Sequence, residues 1–366
     1  MKYIYYHIIV LYFLVSCKTN HNENYINIQC ETLQEYELEN TDFNILTPVK
    51  YIVLHSENEA TEIAYIDKIK VFNNKIYIAD KMSSKLVVFD TTGKATGHVG
   101  HKGHGPGEYI NISDFSIDKE GNIYILDYNN LSLLKYNPEN DFISSQKLPF
   151  NAEVFQCLSD NKFAFGLTAN NPGKYPHDHI IITNKNLEKE KTITRYKNNN
   201  TDDNFHLSSF GFTETKDGIF YHKPIDDYVY VLDHSGNLKN IFFFDFGNKR
   251  VPDSYRLNIE DKLESFTNYT TLTYFTLVYD NYIYGSLFDK GNYKQFVLNK
   301  NTHKIYKKTD ESIDKYGHWF GTCGNYLVSV FPPIFEKNNY PSDFPDDLKK
   351  VLAEEKIVLC FYSVKP

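Results

Sequence analysis

Tryptophan occurs once in these 366 residues, methionine twice and cysteine five times, with no CxxC pair and no staple-like cysteine spacing. That pattern excludes a disulfide-rich scaffold as the source of stability. Positive charge is short as well: 39 Lys and Arg face 47 Asp and Glu, a net of −8. A nucleic-acid partner is thereby excluded, because phosphate binding needs concentrated Lys and Arg. The chain holds no GxSxG and no HExxH, and no pair of catalytic carboxylates is legible locally. The apolar run Tyr3–Val15 falls short of the ~20 residues a bilayer-spanning helix needs.

What the chain has instead is a repeated phrase. A turn of Asn, Asp or Gly followed by an alternating apolar strand returns at Asn73-Asn74, Gly121-Asn122, Asp160-Asn161, Asp217-Gly218, Asp280-Asn281 and Gly324-Asn325. In most copies a second strand and a second polar turn follow: LVVFD-TTGK, LLKYN-PEND, IIITN-KNLE, YVYVLD-HSGN, QFVLN-KNTH. A period of roughly 40 to 60 residues with about four short strands per copy is that of a β-propeller. The 30 Tyr and 27 Phe suit sheets stacked face to face. Blade one is expected from near Asp67, with later blades from about Asp114, Val154, Phe210 and Thr271. The last copy is one strand short after Tyr326–Val330 and Ile357–Val364, while a lone strand, Val49–Leu54, precedes blade one. Pairing the two removes two exposed sheet edges. The expected fold is all-β: a six-bladed β-propeller closed by an N-terminal strand. A short helix is expected within Ser342–Glu355 of the last blade, with Asp346 or Asp347 near its start.

Met1-Lys2 and the apolar run Tyr3–Val15 have the form of a secretory signal. The run ends in Leu14-Val15-Ser16-Cys17, which resembles a bacterial lipobox, with Cys17 the lipidated residue. Several acyl chains anchor a protein stably, at about 0.8 kcal/mol per buried methylene. The expected organisation is a signal peptide over 1–16, a lipidated flexible tether over 17–46 and the propeller over 47–366. Of the remaining cysteines, Cys30, Cys157, Cys323 and Cys360, the last two fall on the inner and third strands of one blade. Such strands lie about 9.6 Å apart, beyond disulfide reach.

Lys50–Leu54, Ile69–Asp80, Leu86–Lys94 and above all Gly103–Tyr109 (GHGPGEY) resemble the six-bladed β-propeller lipoproteins of the NHL/TolB-like superfamily of Gram-negative bacteria. Copies three to six share only the rhythm. The resemblance implies an exported, lipid-anchored propeller and leaves the activity open.

Loop lengths separate the two rims. The a–b and c–d turns are short, whereas the b–c and d–a connections of the opposite rim hold the long insertions, such as Gly100–Asn111, Gly166–His179, Lys197–Ser209, Gly247–Asn268 and Phe331–Lys356. Binding on a rigid scaffold collects on such loops. The candidate rim residues are His101, His104, Glu108, Tyr109, His177, His179, His222, Arg256, His318 and Trp319. Gly103, Gly105, Pro106 and Gly107 build a turn that enters blade two, so Glu108 and Tyr109 are expected near the channel mouth. Glu108 is either a ligand-facing carboxylate or a clamp for backbone N–H groups of a neighbouring blade. Asp80 and Asp127, ending the second strands of the first two copies, suit b–c turns. His177-Asp178-His179 places two imidazoles on one face of an extended segment, a start toward Zn²⁺ binding; NHL-type propellers with a metal and lyase activity supply an analogy. No cofactor is expected, with Zn²⁺ or Ca²⁺ the minority alternative. The leading reading is an envelope binding or scaffold propeller for a glycan, peptide or protein partner, touching the membrane through its anchor alone. The rival is a lyase or hydrolase at the channel mouth.

Overall fold

The structure, a computed structural model, describes residues 29–34, 46–168, 171, 175–196, 211–223, 226–257, 259–279, 281–301, 304–307, 318–324, 326–331, 345–354 and 356–364. Six blades succeed one another along the chain, each an antiparallel sheet read from inner to outer strand. Blade one comprises Lys68–Phe72, Lys75–Asp80, Lys85–Asp90 and Ala95–His98. Blades two to five start their inner strands at Asp114, Ala152, Phe212 and Thr270.

Blade six runs His318–Cys323, Tyr326–Phe331, Val358–Val364 and then Leu46–Val53, the N-terminal strand lying antiparallel on the outside from Leu46↔Val364 to Val53↔Val358. The chain then continues into blade one. Leu54 N–H donates to the Ile357 carbonyl at 2.9 Å, and His55 N–H donates to the Gly93 carbonyl at 2.8 Å. The ring is thus stitched where its two ends meet.

Why the middle strands read as near-continuous apolar runs follows from the packing. Six clusters of buried side chains each join two neighbouring blades, so both faces of every sheet are covered. Ile76, Ile78 and Val87 face blade six while Tyr77, Ala79 and Val88 face blade two.

The short rim is held by side-chain oxygens. Asn73 and Asn74 both adopt positive φ, 45° and 60°, the tight hairpin turn expected of an Asn-Asn pair. At the ends of the third strands, Asp90, Asn137, Asn184 and Asp233 each accept from the backbone N–H groups two and four residues ahead. Asn299 repeats the first of these bonds. These are the residues that end LVVFD, LLKYN, IIITN, YVYVLD and QFVLN, so one local rule makes all five turns.

The helix Asp346–Ala353 buries Leu348 and Leu352, one turn apart, against blades five and six. A second helix, Ile259–Phe266, lies in the insertion before blade five, where the sequence was read only as loop. No helix among the described residues is long and apolar enough to cross a membrane.

One strand lies within the segment read as tether. Gln29–Gln34 adds to the outside of blade four, parallel to Leu238–Asp245, in the register Gln29↔Asn240 to Gln34↔Asp245. Its own residues carry little periodicity, and the reason for its place lies in the edge it covers, taken up below. Cys157, Cys323 and Cys360 are free, and burial pushes the thiols of Cys157 and Cys360 up to about 12. Cys17 and the loop insertion Lys197–Ser209 lie outside the described residues.

Candidate functional site

Inner strands alternate between sheet packing and the axis, and their axial positions carry charge. Lys68 and Lys70 come from blade one, Asp114 and Ser116 from blade two, Gln156 from blade three and Glu214 from blade four. Lys68 Nζ lies 2.6 Å from Asp114 Oδ1 and donates to the Phe115 carbonyl at 2.9 Å. The other oxygen of Asp114 accepts from Phe155 N–H at 2.9 Å, so one carboxylate ties three blades. Burial pushes the Lys68 ammonium down, and Asp114 offsets part of that.

Lys70 Nζ reaches Glu214 Oε2 at 2.8 Å. Blades one and four stand opposite each other in a ring of six, so this ion pair crosses the axis. Gln156 Nε2 donates to the same oxygen at 2.9 Å, and His234 Nδ1 lies 3.5 Å from Oε1. Burial works against ionisation of Glu214, but Lys70, His234 and Gln156 outweigh it and hold its carboxyl below the usual range. Lys68, Lys70, Asp114, Gln156 and Glu214 were not singled out in the sequence. The signal was present: charged residues at alternate positions of the first strand of a repeat point into the channel.

On the long-loop rim the histidines separate into different environments. His177 sits exposed in a turn. Asp178 is buried and paired with Lys189 at 2.7 Å and Arg195 at 3.3 Å. His179 turns into the seam between blades three and four, with Nε2 2.9 Å from the Tyr221 hydroxyl and its ring stacked on Tyr196 at 4.5 Å. Burial, aided by Lys223, pushes His179 down to about 3, so it is neutral at physiological pH. The expected pair of imidazoles on one face is therefore not formed, because the strand starts at Asp178, after His177. Among the described residues no three His, Cys, Asp or Glu side chains converge as metal ligands.

His222 is also buried and neutral, pushed down to about 4, with Nε2 3.2 Å from the Asp226 carbonyl. Arg256 is turned inward: its guanidinium meets both oxygens of buried Asp227, at 2.9 and 2.8 Å, beside Arg250 at 2.5 Å. His318 and Trp319 open the inner strand of blade six; their side chains lie outside the described residues.

GHGPGEY does not reach the channel mouth. Gly107, at φ 75°, folds the loop back so tightly that an added Cβ would lie 2.8 Å from Phe142, the first residue of blade two's outer strand. Tyr109 is buried between blades one and two and donates to the Val99 carbonyl at 3.1 Å, while Tyr136 donates to the Gly107 carbonyl at 3.0 Å. Glu108 accepts from Gly105 N–H of its own loop at 2.7 Å and meets exposed His101 at 2.9 Å. Those bonds, the Gly105 N–H first, lower its pKa. A Cβ on Gly103 would fall 2.0 Å from Glu108 Oε2, so a larger residue there would swing the Glu108 carboxylate out of its loop. His104 and Pro106 are exposed at the loop surface.

Asp80 and Asp127 are fully buried. Asp80 accepts from Ala64, Tyr65 and Ser83 N–H groups, and Asp127 from those of Ile110 and Asn130. Each carboxylate fastens the incoming d–a connection to the b–c turn, which makes this side of blades one and two rigid. Around these clamps Tyr65, Met82 and Leu131 expose apolar surface, Met82 at 76%.

The fold places the chain among known proteins. A Bacteroides fragilis protein described as exported has 19% identity and a TM-score of 0.75, over 92% of this chain and all of that one. A DUF4221 member from Bacteroides vulgatus has 14% identity and a TM-score of 0.51, over 87% and 98%. Virginiamycin B lyase of Staphylococcus aureus is more distant, with 12% identity and a TM-score of 0.46 over 84% and 82%. No curated protein matches at a significant level. The model of the DUF5128 family, described as a 6-bladed beta-propeller, matches residues 16–328. With most of its length matched and six blades closed in a ring, the chain belongs to the DUF5128 family of six-bladed β-propellers.

Proposed function

We propose that this propeller is a lipid-anchored envelope protein that binds a peptide, glycan or protein partner on its long-loop rim. The observation that carries the reading is the contrast between the two sides. The short turns satisfy their own polar groups, and the axis is spanned by Lys70 and Glu214. The rim clamped by Asp80 and Asp127 presents Tyr65 and Met82 to solvent, at 51% and 76%, more than Phe142 and Tyr326 beside the short turns, at 38% and 39%. Exposed aromatic and Met side chains on a rigid base are the kind of anchor that carries binding energy. Similarity to the exported Bacteroides fragilis protein supports a place beyond the cytoplasmic membrane.

The test is capture from envelope extract. Tyr65→Ser with Met82→Ser should weaken capture of the wild-type partner about tenfold or more, the loss of one interface anchor. Lys119→Ala with Glu139→Ala, on the short-turn rim, should leave it unchanged. The opposite pattern overturns the placement.

For the anchor, metabolic labelling with a clickable fatty acid should mark the wild type and miss Cys17→Ser. Equal labelling of both removes the lipidation reading and leaves the rim reading standing.

A further inference from the structure

The six outer strands differ in how they protect themselves. Blade three ends in KEKTITR, blade five in KIYK, and blade six carries Pro48 and Lys50. Blade one ends in the four-residue ATGH, and blade two has a Ser-Ser centre and closing Lys147. Lysine, proline and short length are the usual means of blunting a sheet edge. Blade four has none of these at its centre: LKNIFFFD places four apolar residues in a row, Ile241–Phe244. That combination of high β-propensity and no charge is a template for further strands. It is this edge that carries the fifth strand, Gln29–Gln34.

The added strand differs from its neighbours in kind. Pairing between the strands of a blade is otherwise antiparallel, whereas Gln29–Gln34 runs parallel. Parallel ladders are slightly weaker per residue. Every register partner lies on one strand, Asn240–Asp245, so the segment is held through a single edge. It can leave without opening the ring, because closure belongs to Leu46–Val53.

We propose that the outer edge of blade four is a strand-acceptor surface, closed in the resting molecule by the chain's own Gln29–Gln34. When that segment leaves, the edge takes an extended segment of a partner polypeptide in the same parallel register. Backbone bonds supply affinity in such strand addition and alternate side chains supply selectivity. The short link formed by residues 35–45 keeps the chain's own segment at an effective concentration on the order of millimolar, so a dilute competitor is excluded until the segment is released. This surface is separate from the long-loop rim and stands whether or not Cys17 is lipidated.

Cys30 pairs in register with Ile241. In Ile241→Cys the two Cα atoms stand about 4.8 Å apart, as neighbouring strands do, within disulfide range. Oxidation of the full chain should therefore give an intramolecular cross-link that Cys30→Ser abolishes. No cross-link, or a cross-linked dimer, overturns closure by the chain's own segment. The acceptor is probed with a fluorescein-labelled peptide of residues 27–36 bearing Ser at position 30. Glu31→Pro with Thr32→Pro, which breaks the resident strand whichever residue faces the edge, should bind this peptide at least about tenfold more tightly than wild type. Oxidised Ile241→Cys should not bind it. Equal binding by all three, or none by the double-proline chain with its far-ultraviolet spectrum intact, overturns the acceptor.

Discussion

Deletion of every residue through Leu54 leaves no folded monomer, whereas deletion through residue 45 leaves the ring closed. The first removes the outer strand of blade six, paired from Leu46↔Val364 to Val53↔Val358. It also removes Ile52 and Leu54 from the cluster joining blades six and one, and Leu46 from the one joining blades five and six. Burying each such side chain stabilises by about 1.5–3 kcal/mol. Each lost ladder bond adds roughly 1 kcal/mol. Against a typical total of about 5–15 kcal/mol, the sum leaves little margin. Blade six would also expose the N–H and C=O row of Val358–Val364, so aggregation should accompany unfolding. Deletion through residue 45 opens only the edge of blade four, and the expected result is near-native thermal unfolding with added self-association. Melting followed by circular dichroism, with size-exclusion chromatography, separates the two. A cooperative, monomeric protein lacking residues through Leu54 would require another means of closure.

Closure was legible before the structure because it is a matter of counting: one copy lacked a strand and one strand lacked a copy. The turns were legible because they are local, each Asp or Asn holding N–H groups two and four residues ahead. Four things were not legible, and each depends on contacts distant in sequence. Lys70 meets Glu214 across 144 positions, and no periodicity names a partner on the far side of a ring. Gln29–Gln34 has no pattern of its own; its place follows from the missing charge on Ile241–Phe244. Glu108 and Tyr109 were expected at the channel because the loop leads to an inner strand, but the glycines that let it turn also let it fold back against Phe142. Rim histidines were read as one class because the sequence carries no burial. In the fold His177 is exposed, while His179 and His222 are neutral and enclosed.

Those two enclosed histidines make the fold sensitive to mild acid. Their pKa values are pushed down from 6.5 to about 3 for His179 and about 4 for His222, burial being the main cause in both. Above pH ~6.5 both are neutral in the folded and the unfolded chain, and stability is at its full value. As pH falls below that point the unfolded chain takes up two protons that the folded one refuses. Each histidine then costs about 1.4 kcal/mol per pH unit until its folded form titrates. Asp226 acts in the other direction. Burial lifts its carboxyl from 3.8 to about 6, so between those values the folded chain holds a proton that the unfolded chain lacks. One carboxyl offsets roughly one histidine, and the fall is steepest just below pH 6.5. Between pH 7 and pH 5 the net loss should be about 2 kcal/mol. Urea unfolding at the two pH values measures it. His179→Gln with His222→Gln should remove the loss and leave a small gain toward pH 5 from Asp226, while Asp226→Asn should deepen the loss to about 4 kcal/mol. An acid loss unchanged by the double glutamine substitution would mean that other groups carry it, and that the seam between blades three and four admits the proton.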